Sequence, residues 1–348
     1  MAAGVPPLSN IVLLGRKSSR AKWPSAITRR PIPPIRARDR RPTVVQPARD
    51  GSVAIVPPVE SSSDSGPRAV MSIDVEDWFQ VENLTGAIRR DTWNTCELRV
   101  ERNMNRMLSL MSENGVRSTC FVLGWVADRC PALIKRIANE GHEIASHGYA
   151  HELLSTLSPE EFRADVERSK MLLEDLTGAE VIGYRAPAFS ITDWAIPILH
   201  ELGFSYDSSV FPAIAHDRYG RLTGLKTGEP VAELLPGFHE ACISCLNVGS
   251  KGVPWGGGGY FRLIPYPVFR RGVSRILRGG QPYVFYIHPW EIDPGQPRVE
   301  GLPRGYRFRH YVGLASCERR FESLLGDFRW STMSELVAAS TGGREPVA

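Results

Sequence analysis

Two histidines four residues apart, His147 and His151, would lie on one side of a helical turn, where both imidazoles could face a single metal ion. Three carboxylates crowd into four positions as Asp74-Val-Glu76-Asp77. Like charges at that spacing are costly unless a cation or a guanidinium neutralises them. Arg185, within Arg185-Ala-Pro187, is one such guanidinium. Asp207 adds another carboxylate, and His288, in His288-Pro-Trp-Glu291, another imidazole. Each has an ordinary explanation when taken alone, as a solvated turn, a surface pair or a core histidine. A carboxylate cluster, a histidine pair, an arginine, an aspartate and a further histidine in this order are hard to attribute to accident.

The elements that must position these residues are legible from periodicity. Strand-like runs are predicted at 69–75, 118–123, 143–146, 181–184, 205–206 and 283–287. Between them lie helix-period segments at 98–114, 131–140, 159–176, 193–202 and 267–277. Pro131 and Pro159 fall in first turns, Ser158 is an N-cap, and Gly115, Gly141 and Gly178 follow helix ends. Repeated βα units imply an α/β fold with a parallel sheet and helices outside it. Six or so units over about 220 residues suit a (β/α) barrel better than an open sheet. The polar clusters all fall where strands end, so they would meet at the C-terminal mouth of such a barrel. Residues 210–262 read as a long irregular region. The four glycines at 256–259 lack the GK[ST] continuation of a phosphate loop and read as a tight or mobile turn near the mouth.

The whole chain has 348 residues and a net charge of +4, but the charge is unevenly placed. Residues 1–68 carry 12 Lys/Arg against 4 Asp/Glu, with 11 of the 27 prolines and one aromatic residue, Trp23. That segment reads as a disordered basic tail. The remainder is net acidic, which removes the electrostatic argument for nucleic acid. No apolar run is long enough for a membrane span, and no export signal is recognisable. The expected location is therefore cytoplasmic, with a periplasmic or envelope site left open. Six cysteines do not suggest a disulfide scaffold. Cys242-Ile-Ser-Cys245 has knuckle spacing without a second pair to complete four ligands, so structural thiols are expected. The expected division is the tail at 1–68, a catalytic barrel at 69–292, and a C-terminal extension at 293–340 packing on it.

These motifs, in order, resemble those of the polysaccharide deacetylases, the NodB-like enzymes of carbohydrate esterase family four. They are Ser72-Ile-Asp-Val-Glu-Asp77, His147-Gly-Tyr-Ala-His151, Arg185-Ala-Pro187, Asp207 and Ile287-His288, spread over about residues 69–292. The strand Thr119-Cys-Phe-Val-Leu123 fits as well. More narrowly, Asp-Val-Glu-Asp-Trp-Phe, Gly256-Gly-Gly-Gly-Tyr-Phe-Arg262 and His310-Tyr-Val-Gly are similar to the subgroup linked to exosortase and exopolysaccharide loci.

The resemblance implies an α/β fold of the distorted (β/α) barrel kind, with about seven parallel strands, and it implies roles. Asp74 matches the catalytic base, and Arg185 the residue that keeps it ionised. His147 and His151 match two ligands of one divalent metal, usually zinc, although cobalt, nickel and manganese suit the same donors. The third ligand would be a carboxylate. Asp77 has the shorter arm of the usual aspartate, whereas strand alternation favours Glu76 beside Asp74. His288 matches the general acid and Asp207 the carboxylate that orients it. A backbone N–H near Arg185 is the expected oxyanion donor. Trp78 and Trp290 are candidate walls around the acetyl methyl. Trp255, Tyr260, Phe261 and Tyr266 either stack on sugar rings or pack in the core. The implied activity is removal of N-acetyl groups from an exopolysaccharide or its precursor, with an association with polysaccharide assembly machinery left open. The alternatives are hydrolysis of a small linear or cyclic amide on the same scaffold, and a non-catalytic carbohydrate-binding protein.

Overall fold

The structure, a computed structural model, describes residues 69–211, 220–225, 229–249 and 251–342. The tail expected at 1–68 lies outside the described residues. Strand β1 (Ala69–Val75) is followed by α1 (Val100–Glu113), whose Met104, Met107, Leu108 and Met111 form a buried stripe. Next come β2 (Thr119–Val122), α2 (Gly124–Arg129), α3 (Pro131–Asn139) and β3 (Glu143–Ser146). Helix α4 (Pro159–Thr177) starts at a reciprocal cap between Ser158 and Glu161 and ends at Gly178, whose φ of 68° suits a glycine. Then follow β4 (Gly183–Tyr184), α5 (Ala195–Glu201) and β5 (Tyr206–Asp207).

The segment expected to be irregular contains two hairpins and a helix. These are β6 (Val231–Leu235) with β7 (Phe238–Ala241), β8 (Cys245–Val248) with β9 (Lys251–Pro254), and α6 (Gly258–Leu263). The chain closes with α7 (Tyr266–Arg278), β10 (Tyr283–Ile287), α8 (Arg304–Tyr311), α9 (Leu314–Asp327), β11 (Trp330–Ser331) and α10 (Met333–Ser340).

Seven parallel strands run in the order β10-β1-β2-β3-β4-β5-β7, with β6 antiparallel at one edge and β11 pairing with the start of β1. The sheet curls into a distorted barrel without closing on itself. Across the opening, Ser244 Oγ accepts the Val284 N–H at 2.8 Å, and Gly257 bridges to Tyr286.

Strand alternation sorts the side chains into two layers. Val70, Phe121, Ala145, Tyr206, Ala241 and Val284 fill the inside of the curl. Met71, Ile73, Cys120, Ile144 and Phe285 face the outer helices. The lower end is plugged by α10, whose Met333, Leu336 and Val337 join the inner cluster. The Met333 and Ser334 N–H groups at its start are taken by Thr119 Oγ1 and Glu143 Oε2. The upper, C-terminal end is left for polar groups.

Candidate active site

Alternation along β1 puts Ser72 and Asp74 on the inner face, and the chain leaves the strand with Glu76 on the same side. Asp74 is buried, and its Oδ1 accepts Arg185 Nη1 at 2.6 Å. Arg185 follows β4 and is itself fully buried. It lies over the Phe121 ring and donates to Ser72 Oγ, Ser208 O and Ser208 Oγ at 2.8–3.0 Å. A guanidinium held at every nitrogen has no freedom to leave Asp74.

The segment from His147 to His151 is a loop, not the helical turn that the spacing suggested. Gly148 takes a positive φ of 70°, His151 takes one of 54°, and Asp165 on α4 accepts the Tyr149 and Ala150 N–H groups at 2.7 and 3.0 Å. A Cβ at position 148 would stand 2.9 Å from that carboxylate, so glycine is required there. The loop brings the two imidazoles to 5.3 Å between centroids. His147 Nδ1 donates to Arg185 O at 2.8 Å, which turns Nε2 toward the cavity. Burial, and then the neighbouring His151, push His147 down to about 3, so its ring is neutral and keeps a lone pair.

One donor atom each from Glu76, His147 and His151 lies within 4.8 Å of the others, all three residues being buried. Glu76 Oε2 is 2.9 Å from His151 Nε2 yet forms no aligned hydrogen bond. Burial alone would raise the Glu76 carboxyl, but its histidine neighbours, His151 first and then His288 and His147, together outweigh it and hold the group below the ordinary carboxylate value. A carboxylate and two imidazoles that converge with an unsatisfied oxygen fit a divalent cation.

His288 follows β10 on the inner face. Its Nε2 is 3.5 Å from Glu76 Oε1 and 3.8 Å from Asp74 Oδ2, while Nδ1 is 3.0 Å from Glu291 Oε2. Burial opposes charge on His288, but Glu291, Glu76 and Asp74 outweigh it and raise the ring to about 9. Burial likewise works against the Glu291 carboxylate, yet Arg262 and His288 bring it down to about 2. Trp290 stacks on His288 at 5.3 Å and directs Nε1 toward Glu76 Oε1 at 3.4 Å. These groups floor a cavity of about 400 Å³ whose walls include Phe189, Tyr260, Leu263 and Phe308. Ala188 and Phe189, beside Arg185, adopt left-handed φ angles of 50° and 59°. Strain of that kind, about 1–3 kcal/mol per residue, concentrates at functional sites.

Two expectations are corrected. Asp77 does not face the cavity, because the chain turns after Glu76 and Asp77 caps the short 3-10 turn Trp78–Gln80. Its carboxylate accepts the N–H groups of Trp78, Arg99 and Val100 at 2.7–2.9 Å, and burial raises it to about 6 despite them. Asp207 does not touch His288. Tyr206 fills the inner face, so Asp207 points outward, opposite Glu240 on β7.

Of the two tryptophans considered as walls, Trp290 lines the cavity, while Trp78 packs against Phe79 and donates to Glu97 O. Trp255 and Phe261 are buried, and Tyr260 is exposed on the rim. The cysteines are free thiols, Cys242 buried and Cys245 half-buried. Sequence reasoning assigned no role to Glu291 or Arg262. The three-residue spacing from His288 to Glu291 was the available signal, because it places the carboxylate back on the histidine.

Residues 91–206 match the family model described as Polysaccharide deacetylase, and residues 208–338 match one described as Domain of unknown function (DUF3473). A peptidoglycan deacetylase-like protein of Gibberella zeae is 34% identical over 109 residues, 31% of this chain and 32% of that protein. A peptidoglycan-N-acetylglucosamine deacetylase of Bacillus cereus is 29% identical over 118 residues, 30% of this chain and 43% of that protein. A chitin deacetylase of Pestalotiopsis is 31% identical over 104 residues, 29% of this chain and 35% of that protein. The chain thus spans about a third to two-fifths of the length of these curated relatives. A Mycobacterium smegmatis protein assigned as a polysaccharide deacetylase has the same fold, with 23% identity and a TM-score of 0.53 over 83% of this chain and 95% of that one. Residues 91–206 thus match a polysaccharide deacetylase domain, and the fold that holds them is the one shared with the Mycobacterium smegmatis protein.

Proposed function

We propose that the chain is a metal-dependent hydrolase that removes N-acetyl groups from N-acetylhexosamine units of an exopolysaccharide or its precursor. The observation that carries this reading is the convergence, on one cavity floor, of the donors Glu76, His147 and His151 with Asp74 and His288. The named activities of the peptidoglycan and chitin deacetylases it resembles support the reaction class. The resemblance to the exopolysaccharide subgroup supports the choice of polymer.

A divalent cation held by Glu76, His147 and His151, zinc or else cobalt, nickel or manganese, would polarise the acetyl carbonyl and make the attacking water more acidic. Asp74 has one oxygen occupied by Arg185 and keeps the other to take the proton of that water. The buried Arg185 guanidinium, 2.6 Å from Asp74 Oδ1, holds the carboxylate in place for that step. His288, whose Nε2 lies 3.8 Å from Asp74 Oδ2, hands a proton to the departing amine. The carboxylates of Glu291, Glu76 and Asp74 around His288 favour the protonated ring that this step needs. Trp290 forms an apolar wall beside them.

The exposed Tyr260, Leu263 and Phe308 on the rim offer stacking surface to neighbouring sugar rings, which favours an extended substrate over a small amide. An intact base, arginine and acid set gives no advantage to a protein that only binds carbohydrate. Among the described residues no helix is long and apolar enough to cross a membrane. In this reading residues 69–292 are the catalytic barrel and 293–340 an extension that buttresses it, as the β11 pairing with β1 and the α10 plug suggest.

Acetate release from N-acetylglucosamine oligomers and polymer tests the proposal, with zinc or cobalt added and with chelator. Metal-dependent release that vanishes in Asp74→Asn and His147→Ala is the expected result. One bound metal per chain with no acetate from any amino sugar would transfer the reading to a small-amide hydrolase.

A further inference from the structure

We propose that the segment matched as a domain of unknown function, residues 208–338, supplies the proton-donating half of the active site, with Glu291, anchored by Arg262, as the positioning residue that orients His288. The inference rests on the deacetylase reading. Glu291 Oε2 accepts both the ring Nδ1–H of His288 and that residue's backbone N–H, each at 3.0 Å. One oxygen therefore fixes the imidazole and the root of its side chain. The other oxygen accepts Arg262 Nε at 2.8 Å. The remaining donors of Arg262 end on the carbonyls of Arg309, His310 and Val312 at 2.6–3.1 Å, so the guanidinium is bolted to the end of α8.

The backbone leaves room for nothing else. A Cβ at position 258 would stand 2.0 Å from Glu291 Oε2, and one at position 313 would stand 2.5 Å from Arg262 O. Trp290 is clamped between His288 and His310, with ring centroids 5.3 and 4.5 Å away and both pairs stacked. All of these residues lie within 208–338. Asp207, which the family resemblance nominated for this role, is turned to the opposite face of the sheet.

The consequence is a defined proton path. A carboxylate can only accept, so Glu291 holds the proton on Nδ1 and leaves Nε2 on the side of Asp74, where the amine departs. As the C–N bond breaks, its electron pair stays on nitrogen and the proton of His288 Nε2 passes to that nitrogen. A ring that swings away from this line leaves attack intact and stalls departure.

A leaving-group comparison tests this. Wild type, Glu291→Gln, Arg262→Lys and Asp207→Asn are assayed with added zinc on N-acetylglucosamine oligomers, whose amine must be protonated to leave. The same proteins are assayed on 4-nitrophenyl acetate, whose phenolate leaves without a proton, and thermal melts verify folding. Glu291→Gln is expected to lose roughly 100-fold in acetate release from the amide while ester cleavage stays within about threefold. Arg262→Lys should shift the ratio in the same direction by about tenfold. Parallel loss of both reactions in folded Glu291→Gln, or collapse of the ratio in Asp207→Asn instead, would overturn the proposal. A wild type that cleaves the ester but no amino sugar would overturn the deacetylase reading itself.

Discussion

Two groups of buried acids stand at the upper end of the sheet, one on the inner face at β1 and one on the outer face at β5 and β7. Inside, Asp74 and Glu76 meet a guanidinium and three imidazoles. Outside, Asp207 meets Glu240, acid against acid, with donors from Ser209 Oγ and from the Ser209 and Val210 N–H groups. Burial dominates the outer pair, raising Asp207 to about 6 and Glu240 well above its ordinary value. Inside, the same burial is outweighed at Glu76 by its histidine neighbours. What separates the carboxylates of the cavity from the outer pair is the face of the strand and the charge that waits there. Burial and motif position do not decide it.

The largest effect expected from this contrast comes from removing the inner guanidinium. Arg185→Met strands a buried carboxylate and should cost about 3–5 kcal/mol of unfolding free energy in urea titration, with loss of activity. The corresponding change outside, Glu240→Gln, should not destabilise the fold at neutral pH. Equal losses in both variants would erase the distinction.

Metal affinity sharpens the same comparison within β1. Glu76→Gln should weaken zinc binding by roughly 100-fold or more in calorimetric titration. Asp77→Asn should keep one zinc per chain, while its impaired cap costs about 1–2 kcal/mol of stability. The reverse pattern would put Asp77 back among the ligands.

A smaller effect is expected from pH on the outer pair. Asp207 titrates near 6 in the folded chain against 3.8 ordinarily, so the native state holds a proton that the unfolded chain has released between those values. The contribution of Asp207 is whole below about pH 4 and is lost as pH rises through about 6. Between pH 4 and 7 the melting temperature of Glu240→Gln should gain about 2–4 °C relative to wild type. A difference that stays flat across that range would contradict a shared proton. The smallest effect is expected at the CxxC segment, where Cys245→Ser should leave zinc stoichiometry unchanged and stability within about 0.5 kcal/mol.

Much of this arrangement is legible before folding, for identifiable reasons. Val100, Met104, Met107, Leu108 and Met111 repeat at helical spacing, and Ser158, Pro159 and Gly178 mark both ends of α4. Strands β1, β3 and β10 are apolar runs ending in polar clusters, so the order of the site residues along the mouth follows from the order of the strands. The hairpins β6–β7 and β8–β9 are not legible, because strands of four or five residues broken by glycine and proline carry too little alternation to count. The same shortness hid the orientation of Asp207. With β5 only two residues long, nothing in the sequence says which of Tyr206 and Asp207 faces inward. The role of Glu291 depends on Arg262, 29 positions earlier, and on carbonyls at the end of α8. No local pattern encodes such a contact.

The central claim is that the inner cluster, and no other acidic or thiol group among the described residues, is the metal centre of a hydrolytic site. An anomalous difference map at the zinc edge, from crystals of the full chain grown with equimolar zinc, tests it most directly. The account predicts one strong peak within coordinating distance of Glu76, His147 and His151, beside Asp74 and His288. A principal peak at Asp77, at Cys242 and Cys245, or between Asp207 and Glu240, with none at the inner cluster, would contradict it.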